Sequence, residues 1–232
     1  MLIYGKNVAK EILKNGKLVY KIMIEENFND KEINSLIEKQ NIKVEHLNKK
    51  EFSKFAKFSH QGIILDIEEF SYTELESFLD IEDAKILILD HLEDPHNLGA
   101  IIRTCEAAGF SGLILPKDRS VEINGVVMKT SAGALENIAI SQVTNLRDAM
   151  KKLKENGFWI VGTDMENCTD YREIDYSGKI AIVIGNEGSG ISELIKKECD
   201  FIASIPMYGK TSSLNASVSA AIIVYEAIRN RK

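Results

Sequence analysis

The chain has 232 residues, of which 44% are hydrophobic and 28% charged, and its formal net charge is −6. These values are ordinary for a globular protein and exclude a low-complexity chain. No apolar run approaches the roughly 20 residues that a membrane-spanning helix needs, so we expect no membrane partner.

Cysteine and histidine usage argues against two kinds of site. The three cysteines, Cys105, Cys168 and Cys199, are widely spaced and form no CxxC pair. This pattern indicates a reducing cytosol and argues against a disulfide framework. The four histidines lack metal-ligand spacing, so we expect no metal. The N-terminus has neither the apolar core nor the cleavage site of a signal peptide, which favours a cytoplasmic protein.

Charge is distributed unevenly along the chain. Residues 1–65 hold 12 Lys or Arg and 8 Asp or Glu, whereas residues 66–82 hold 7 acids and no base. Because local charge decides binding, a mildly basic segment can bind nucleic acid even when the whole chain is acidic. A solvated lysine-rich surface explains the same excess, and charge does not separate the two interpretations.

Helical and extended patterns alternate at the start of the chain. Apolar residues at helical spacing predict helices over residues 7–13, 30–40 and 49–56, and β-favouring runs predict strands over residues 18–24, 42–47 and 62–67. This order predicts a small α/β domain over residues 1–67. The acidic residues 68–82 predict a linker that contains a short helix.

From residue 83 onward, wholly apolar strands alternate with helices. The predicted strands cover residues 86–89, 112–115, 159–163, 180–184 and 201–205. The predicted helices cover residues 98–109, 121–131, 146–156, 192–198 and 214–229. Continuous apolar strands of this kind are typical of a parallel sheet covered on both faces. We therefore predict an α/β domain over residues 83–232.

Three polar loops follow strands of this predicted sheet, at residues 90–99, 185–190 and 206–215. Ligands of open parallel sheets bind at the carboxyl ends of the strands. We therefore expect the three loops to meet in one binding site.

The first loop reads D-H-L-E-D-P-H-N-L-G and runs into A-I-I-R. Asn97 can cap a helix that begins at Leu98. Arg103 offers a planar fork of donors that suits a phosphate. An ordinary helix cap and an ordinary surface ion-pair partner are the alternative interpretations of the two residues.

The second and third loops exclude common nucleotide motifs. The second, G-N-E-G-S-G, has the spacing G-x-x-G-x-G and not that of the dinucleotide fingerprint. Its Glu187 would repel a pyrophosphate and favours a cationic or hydroxyl-rich ligand. The third contains G-K-T, but Pro206 and the missing first glycine exclude a P-loop. The sulfonium cofactor S-adenosylmethionine fits these loops, although residue chemistry does not separate a methyltransferase from another nucleotide-using enzyme.

The three loops together resemble the motifs of the SpoU-type (TrmH family) RNA 2′-O-methyltransferases. Residues 90–103 are similar to D-x-x-x-D-P-x-N-x-G-x-x-x-R, and residues 182–190 to I-V-I-G-N-E-G-x-G. Residues 205–217 are similar to I-P-M-x-G-x-x-x-S-L-N-A-S. All three occur in the order and at the spacing of that family.

The resemblance extends to the N-terminal segment. Y-G-K-N-V-A-K-E-I-L and H-Q-G-I are similar to the small substrate-binding domain, itself like ribosomal protein L30e, that precedes many catalytic domains of the family. Asn7 departs from this pattern, since many relatives carry histidine there. The whole layout is most similar to members that methylate a guanosine ribose of 23S ribosomal RNA.

This resemblance implies a C-terminal domain with a trefoil knot that binds S-adenosylmethionine, acts on RNA and works as a homodimer. It also implies which residues contact the cofactor: Gly185, Ile205 and Leu214, with Thr163, Gly188 and Met207 close by.

The catalytic residues that the resemblance implies are Arg103, Asn97, Glu187, Ser213 and Asn215. Arg103 would act on the attacking 2′-hydroxyl, either as a base or by clamping the adjacent phosphate and so lowering the pKa of the hydroxyl. Asn97 would orient Arg103 or the ribose. The other three residues would organise the substrate and the loops.

Two other functions stay open. The first is a transfer-RNA 2′-O-methyltransferase of the same family, which the long N-terminal module disfavours because the simplest tRNA members lack it. The second is a non-catalytic RNA-binding or ribosome-assembly factor that keeps the knot, which the intact catalytic set disfavours.

Overall fold

A computed structural model of the protein describes residues 1–14, 18–40, 42–56, 60–164, 168–186, 188 and 190–230. These residues group into two compact units. The first consists of Met1–Ser71 with Ile123–Lys129, and the second of Tyr72–Glu122 with Thr130–Lys232. Each unit contains both helices and a sheet, which confirms the predicted α/β class.

The first unit has one four-stranded sheet. In chain order its elements are β1 (Leu2–Tyr4), α1 (Lys6–Lys14), β2 (Val19–Glu25), α2 (Lys31–Glu38), β3 (Lys43–Leu47), α3 (Lys49–Phe52) and β4 (Ile63–Ile67). The strand order is β1-β4-β2-β3, with β2 and β3 parallel and the other pairs antiparallel. The sequence patterns do not predict β1, because three residues carry too little periodicity.

The second unit is larger. Its elements are β5 (Lys85–Leu89), α4 (Pro95–Ala107), β6 (Gly112–Pro116), α5 (Gly125–Ser131, which groups with the first unit as far as Lys129), β7 (Ala139–Val143), α6 (Leu146–Glu155), β8 (Trp159–Thr163), β9 (Thr169–Asp170), β10 (Ile180–Ile184), α7 (Glu193–Lys196), β11 (Phe201–Ser204) and α8 (Ala216–Ala227).

Seven strands of this unit form one sheet in the order β7-β6-β5-β10-β8-β11-β9. Every pairing in the sheet is parallel, which confirms the predicted sheet type. All five residues of β5, of β6 and of β10 are buried. A parallel strand covered by helices on both faces has no polar side to show, so its sequence reads as one apolar run.

The predicted start of α4 is wrong. Its N-cap is Asp94, whose side chain accepts a hydrogen bond from the backbone N–H of His96, and Pro95 occupies the first turn. Proline is favoured there because the first helical residues have no carbonyl partner for their N–H groups. Asn97 therefore lies inside the helix, and its side chain is available for another contact.

Other predicted bounds change as well. The sequence patterns do not predict β7 or β9, and helix α5 begins at Gly125 instead of residue 121. The Asn124 side chain accepts hydrogen bonds from the N–H groups of Val126 and Val127 at 2.9 and 3.1 Å, which stabilises this later start. Helix α7 is only one turn long, and α8 begins at Ala216 instead of residue 214.

Part of the predicted acidic linker, residues 68–82, belongs to the second unit. Leu75 and Phe78, on a short 3-10 helix, are buried in a core cluster with side chains of β5, α6 and β10. Phe78 also lies where a side chain at Gly112 would be, since a Cβ at Gly112 would come 2.4 Å from the Phe78 ring. The domain bounds 1–67, 68–82 and 83–232 stay a prediction, as do the trefoil knot and the likeness to ribosomal protein L30e.

Among the described residues, no helix is both long and apolar enough to cross a membrane. Cys105, Cys168 and Cys199 are all free thiols. Burial raises the pKa of the Cys199 thiol to about 12, so it stays protonated and unreactive near neutral pH.

Candidate functional site

Four neighbouring strands end at one edge of the large sheet. β5, β10, β8 and β11 lie side by side and run parallel, so their carboxyl ends share this edge. A cavity of about 390 Å³ lies there, lined by the ends of β8, β10 and β11, by the loops that follow them and by the start of α8. The second and third predicted loops therefore meet at one site.

All six residues predicted to contact a cofactor line this cavity. They are Thr163, Gly185, Gly188, Ile205, Met207 and Leu214. Ser213, from the predicted catalytic set, lines it as well. The structure brings these seven residues together from three separate parts of the chain, and their individual roles stay a prediction.

Sequence reasoning gave no individual role to the rest of the lining, although Asn186, Gly190 and Ser212 lie in the second and third predicted loops. The residues without an assigned role are Asp164, Ile184, Asn186, Gly190, Ala203, Ser212, Ala216, Ser219 and Ile223. A signal existed for some of them, since Asp164 directly follows a predicted strand and Asn186 belongs to the glycine-rich loop. The apolar members come from strand and helix positions that the sequence could assign only to the core.

The glycine-rich loop is closed by backbone contacts. The N–H of Asn186 donates to the carbonyl of Gly190 at 3.1 Å, and the N–H of Gly190 donates to the carbonyl of Asn186 at 2.8 Å. A Cβ at Gly185 would come 2.1 Å from the carbonyl carbon of Gly190. Glycine is therefore required at 185 because two segments of backbone approach closely.

A buried carboxylate ties the first loop to the segment after the second. Asp90 is 2% exposed, and its Oδ2 accepts a hydrogen bond from the N–H of Ser192 at 2.9 Å. Its Oδ1 lies 2.6 Å from Nδ1 of His91. The N–H of Asp90 also donates to the carbonyl of Ile184 at 2.8 Å. A buried carboxylate is tolerated when polar partners surround it, and these partners fix both loops.

The first and third motifs meet through an amide pair. Nδ2 of Asn215 donates a hydrogen bond to Oδ1 of Asn97 at 3.1 Å, across 118 residues of sequence. Oδ1 of Asn215 accepts from the N–H of Ser217 at 2.9 Å and so caps α8. Asn97 is 6% exposed whereas Asn215 is exposed, so the contact is partly shielded from water. Two of the predicted catalytic residues are thus in direct contact.

Arg103 and Glu187 complete the predicted catalytic set. Arg103 lies on α4 and is exposed, and its side chain makes no hydrogen bond or ion pair with any other described residue. It does not line the cavity. Glu187 lies outside the described residues. The catalytic assignment of Arg103 and Glu187 stays a prediction.

Two polar side chains at the end of β8 are held by specific partners. Oγ1 of Thr163 donates to the carbonyl of Val183 at 2.9 Å and so links β8 to β10. Asp164 forms an ion pair with Lys196, which also contacts Glu193 at 2.9 Å. Asp164 and Glu193 raise the pKa of the Lys196 ammonium, so it stays charged across the physiological range.

A second, smaller cavity adjoins the first. It has a volume of about 300 Å³ and is lined by Leu92, Glu93, Asp94 and Asn186. Asn186 therefore lines both cavities. In the part of the chain that the structure describes, no group of three or more His, Cys, Asp or Glu side chains could hold a metal ion.

Gly185→Ala is expected to weaken binding of S-adenosylmethionine at least tenfold, because the new Cβ forces apart the backbone that shapes the cavity. Isothermal titration calorimetry would measure the affinity, and circular dichroism would show whether the variant is folded. Gly209→Ala is the matched control, since its Cβ would meet no atom within 4 Å. A folded Gly185→Ala variant with unchanged affinity would contradict this account.

Comparison with known proteins places this geometry in a family. Residues 84–225 match the SpoU rRNA methylase family. Residues 2–73 match the RNA 2′-O ribose methyltransferase substrate-binding domain. The first match contains every residue that lines the two cavities.

Similar proteins agree with the family match. A protein of Staphylococcus saprophyticus, provisionally assigned as a TrmH family tRNA/rRNA methyltransferase, is 42% identical over all of this chain and 96% of its own length. The SpoU methyltransferase AviRb of Streptomyces viridochromogenes, solved with AdoMet, is 25% identical with a TM-score of 0.84, over 100% of this chain and 90% of that one. An AdoMet-bound rRNA methyltransferase of Sinorhizobium meliloti is 26% identical with a TM-score of 0.80, over 100% and 87%. The chain therefore belongs to the SpoU rRNA methylase family.

Proposed function

We propose that this protein transfers a methyl group from S-adenosylmethionine to a ribose 2′-hydroxyl of RNA, and that the acceptor is a guanosine of 23S ribosomal RNA. The observation that carries the proposal is the meeting of the motifs. Two of them line one cavity, and Asn97 of the first motif contacts Asn215 of the third. AdoMet-bound structures of two similar methyltransferases support the cofactor.

The cavity fits this cofactor. Its volume of about 390 Å³ falls in the range of pockets that bind molecules of this size. Ile205, Leu214 and Ile223 give it an apolar wall, and Gly185 exposes backbone without a side chain in the way. Asp164 adds a carboxylate to the lining, which lies in an ion pair with Lys196. When bound, S-adenosylmethionine supplies an electrophilic methyl group.

Side chains in and near the cavity would bind and activate the RNA acceptor. Ser213 lines the cavity and can hydrogen-bond a ribose. Asn97 and Asn215 hold each other and so fix the third loop against α4. Arg103 is exposed six residues beyond Asn97 on α4, where its guanidinium can receive a phosphate from the RNA. A neutral Arg103 side chain would accept the hydroxyl proton, whereas the charged guanidinium would instead lower the pKa of the hydroxyl electrostatically.

Features of the first unit support the proposal that the substrate is a large RNA. Residues 2–73 match a domain named for substrate binding in ribose methyltransferases, and residues 1–65 carry the basic excess of the chain. The relative from Staphylococcus saprophyticus is assigned to both tRNA and rRNA, so a transfer-RNA acceptor is the second candidate. An RNA acceptor also supports the cytoplasmic location that the free cysteines favour.

The acceptor can be identified in ribosomal RNA from cells that lack the gene. Incubation with the purified protein and S-adenosylmethionine is expected to add one 2′-O-methylguanosine to the 23S RNA, mapped by mass spectrometry of nuclease fragments. Transfer RNA from the same cells is the comparison substrate. Methylation of transfer RNA alone would contradict the rRNA assignment, and methylation of neither would contradict the enzyme itself.

Arg103→Ala is expected to lower turnover on RNA by about 100-fold or more, because the charge that acts on the attacking hydroxyl is removed. Affinity for S-adenosylmethionine should stay unchanged, since Arg103 does not line the cofactor cavity. Arg103→Lys would retain part of the activity if charge suffices. Arg229→Ala, which removes an exposed arginine paired with Glu226, is the control. Wild-type turnover in both Arg103 variants would exclude either role.

We further propose that the protein is a homodimer. Val218 and Tyr225 on α8 are 46% and 53% exposed, and together with the half-buried Ile222 they form an apolar stripe on one face of the helix. A stripe of this kind on a helix of the catalytic unit supports an interface between two copies. Analytical ultracentrifugation should give a mass twice that of the 26.0 kDa chain. The double variant Val218→Lys, Tyr225→Lys should lower the measured mass toward that of a single chain. A monomer at micromolar concentration would contradict the proposal.

A further inference from the structure

We propose that Asn186 is a positioning residue. Its side chain holds the cofactor loop, residues 185–190, at a fixed distance from the first loop, residues 90–99, which leads to Asn97. The side chain of Asn186 would thereby place methyl donor and acceptor relative to each other without contacting the reacting atoms. This inference rests on the proposed methyl transfer to RNA and assigns a new role within the same site.

The side chain of Asn186 bridges the two loops with both of its polar atoms. Its Nδ2 donates to the carbonyl of His91 at 2.9 Å, across 95 residues of sequence. Its Oδ1 accepts from the N–H of Gly188 at 2.9 Å. The two contacts fix the amide orientation, because a flipped amide would place its oxygen against the His91 carbonyl and its NH₂ against the Gly188 N–H.

The backbone of Asn186 is held as firmly as its side chain. Its N–H and carbonyl both pair with Gly190, so the residue closes the turn of the glycine-rich loop. Every polar group of Asn186 is therefore engaged. Because Asn186 also lines both cavities, a shift of its side chain would alter the wall between them.

The carbonyl that Asn186 contacts is itself fixed. His91 has φ of 57°, a left-handed conformation that is uncommon for a residue with a side chain. Its ring Nδ1 lies 2.6 Å from the buried carboxylate of Asp90. From His91 the chain runs directly into α4, where Asn97 contacts Asn215. The Asn186 amide thus joins the cofactor loop to the segment that leads into α4, which carries the predicted catalytic residues Asn97 and Arg103.

Aspartate and alanine at position 186 would disrupt the two side-chain contacts in different ways. Aspartate keeps an oxygen that can accept from Gly188 but cannot donate to His91, and its charge would repel the His91 carbonyl. Alanine removes both contacts. The two substitutions therefore separate the link between the loops from the turn within the cofactor loop.

The test compares Asn186→Asp with Asn186→Ala in the full-length protein. Calorimetry gives the affinity for S-adenosylmethionine, and methyl transfer to ribosomal RNA from cells that lack the gene gives kcat at saturating cofactor. For Asn186→Asp we expect kcat to fall about tenfold or more while cofactor affinity changes less than about threefold, because only the inter-loop contact is lost. For Asn186→Ala we expect both quantities to fall about tenfold.

Asn156→Asp is the matched control. Its Nδ2 also donates to a backbone carbonyl, that of Lys152 at 2.8 Å, but at the exposed end of α6. It should leave both quantities unchanged, and thermal unfolding of all variants would show that they are folded. The inference is overturned if Asn186→Asp keeps kcat within twofold of wild type, or if its cofactor affinity falls as far as its kcat. A wild-type protein that methylates no RNA would overturn the proposed function instead, and this inference with it.

Discussion

The buried carboxylate of Asp90 is the contact on which the site depends. Two loops that leave neighbouring strands would otherwise be free to move apart, since loop backbone has few partners of its own. Asp90 binds the N–H of Ser192 beyond the second loop and the ring of His91 in the first. Because the carboxylate is almost without access to water, losing one partner would leave a buried oxygen without a hydrogen bond. Asp90 therefore holds both loops, together with the amide of Asn186.

Around this anchor, the strand ends, α8 and the third loop all supply apolar lining, and most of the polar lining comes from the loops. The parallel order of β5, β10, β8 and β11 brings four carboxyl ends to one edge. Strand and helix residues such as Ala203 and Ile223 form a wall that can exclude water from a bound cofactor. Ser213 lines the same cavity, and Asn97 contacts Asn215 at the start of α8. An electrostatic effect on the acceptor hydroxyl would be stronger in such a partly dry site.

Much of the fold can be predicted from the sequence because the sheet is buried on both faces. β8 and β10 have the predicted bounds, since each is a continuous apolar or small-residue run with clear breaks. β7 reads A-I-S-Q-V, and its buried Ser141 interrupts the pattern that would reveal it. Its place in the sheet comes from pairing with β6, which is a long-range contact. Periodicity cannot report such a contact.

In the site too, local motifs predict some residues correctly, whereas contacts between distant parts of the chain cannot be predicted from them. Family motifs predict Gly185, Ile205 and Leu214 at the cavity, and they line it. The predicted cap at Asn97 is wrong, because Asp94 with Pro95 forms a better start three residues earlier. What Asn97 does instead depends on a residue 118 positions away. No local rule for helix ends contains that partner.

The double use of Asn215 has a consequence for how this position can vary. Serine, threonine and aspartate begin helices about as well as asparagine, so an ordinary cap drifts freely among them over evolutionary time. At Asn215 the oxygen serves α8 while the NH₂ group holds Asn97. Only an amide of this length offers both, so exchanges that are silent at other helix starts would here disconnect the last helix from the first motif.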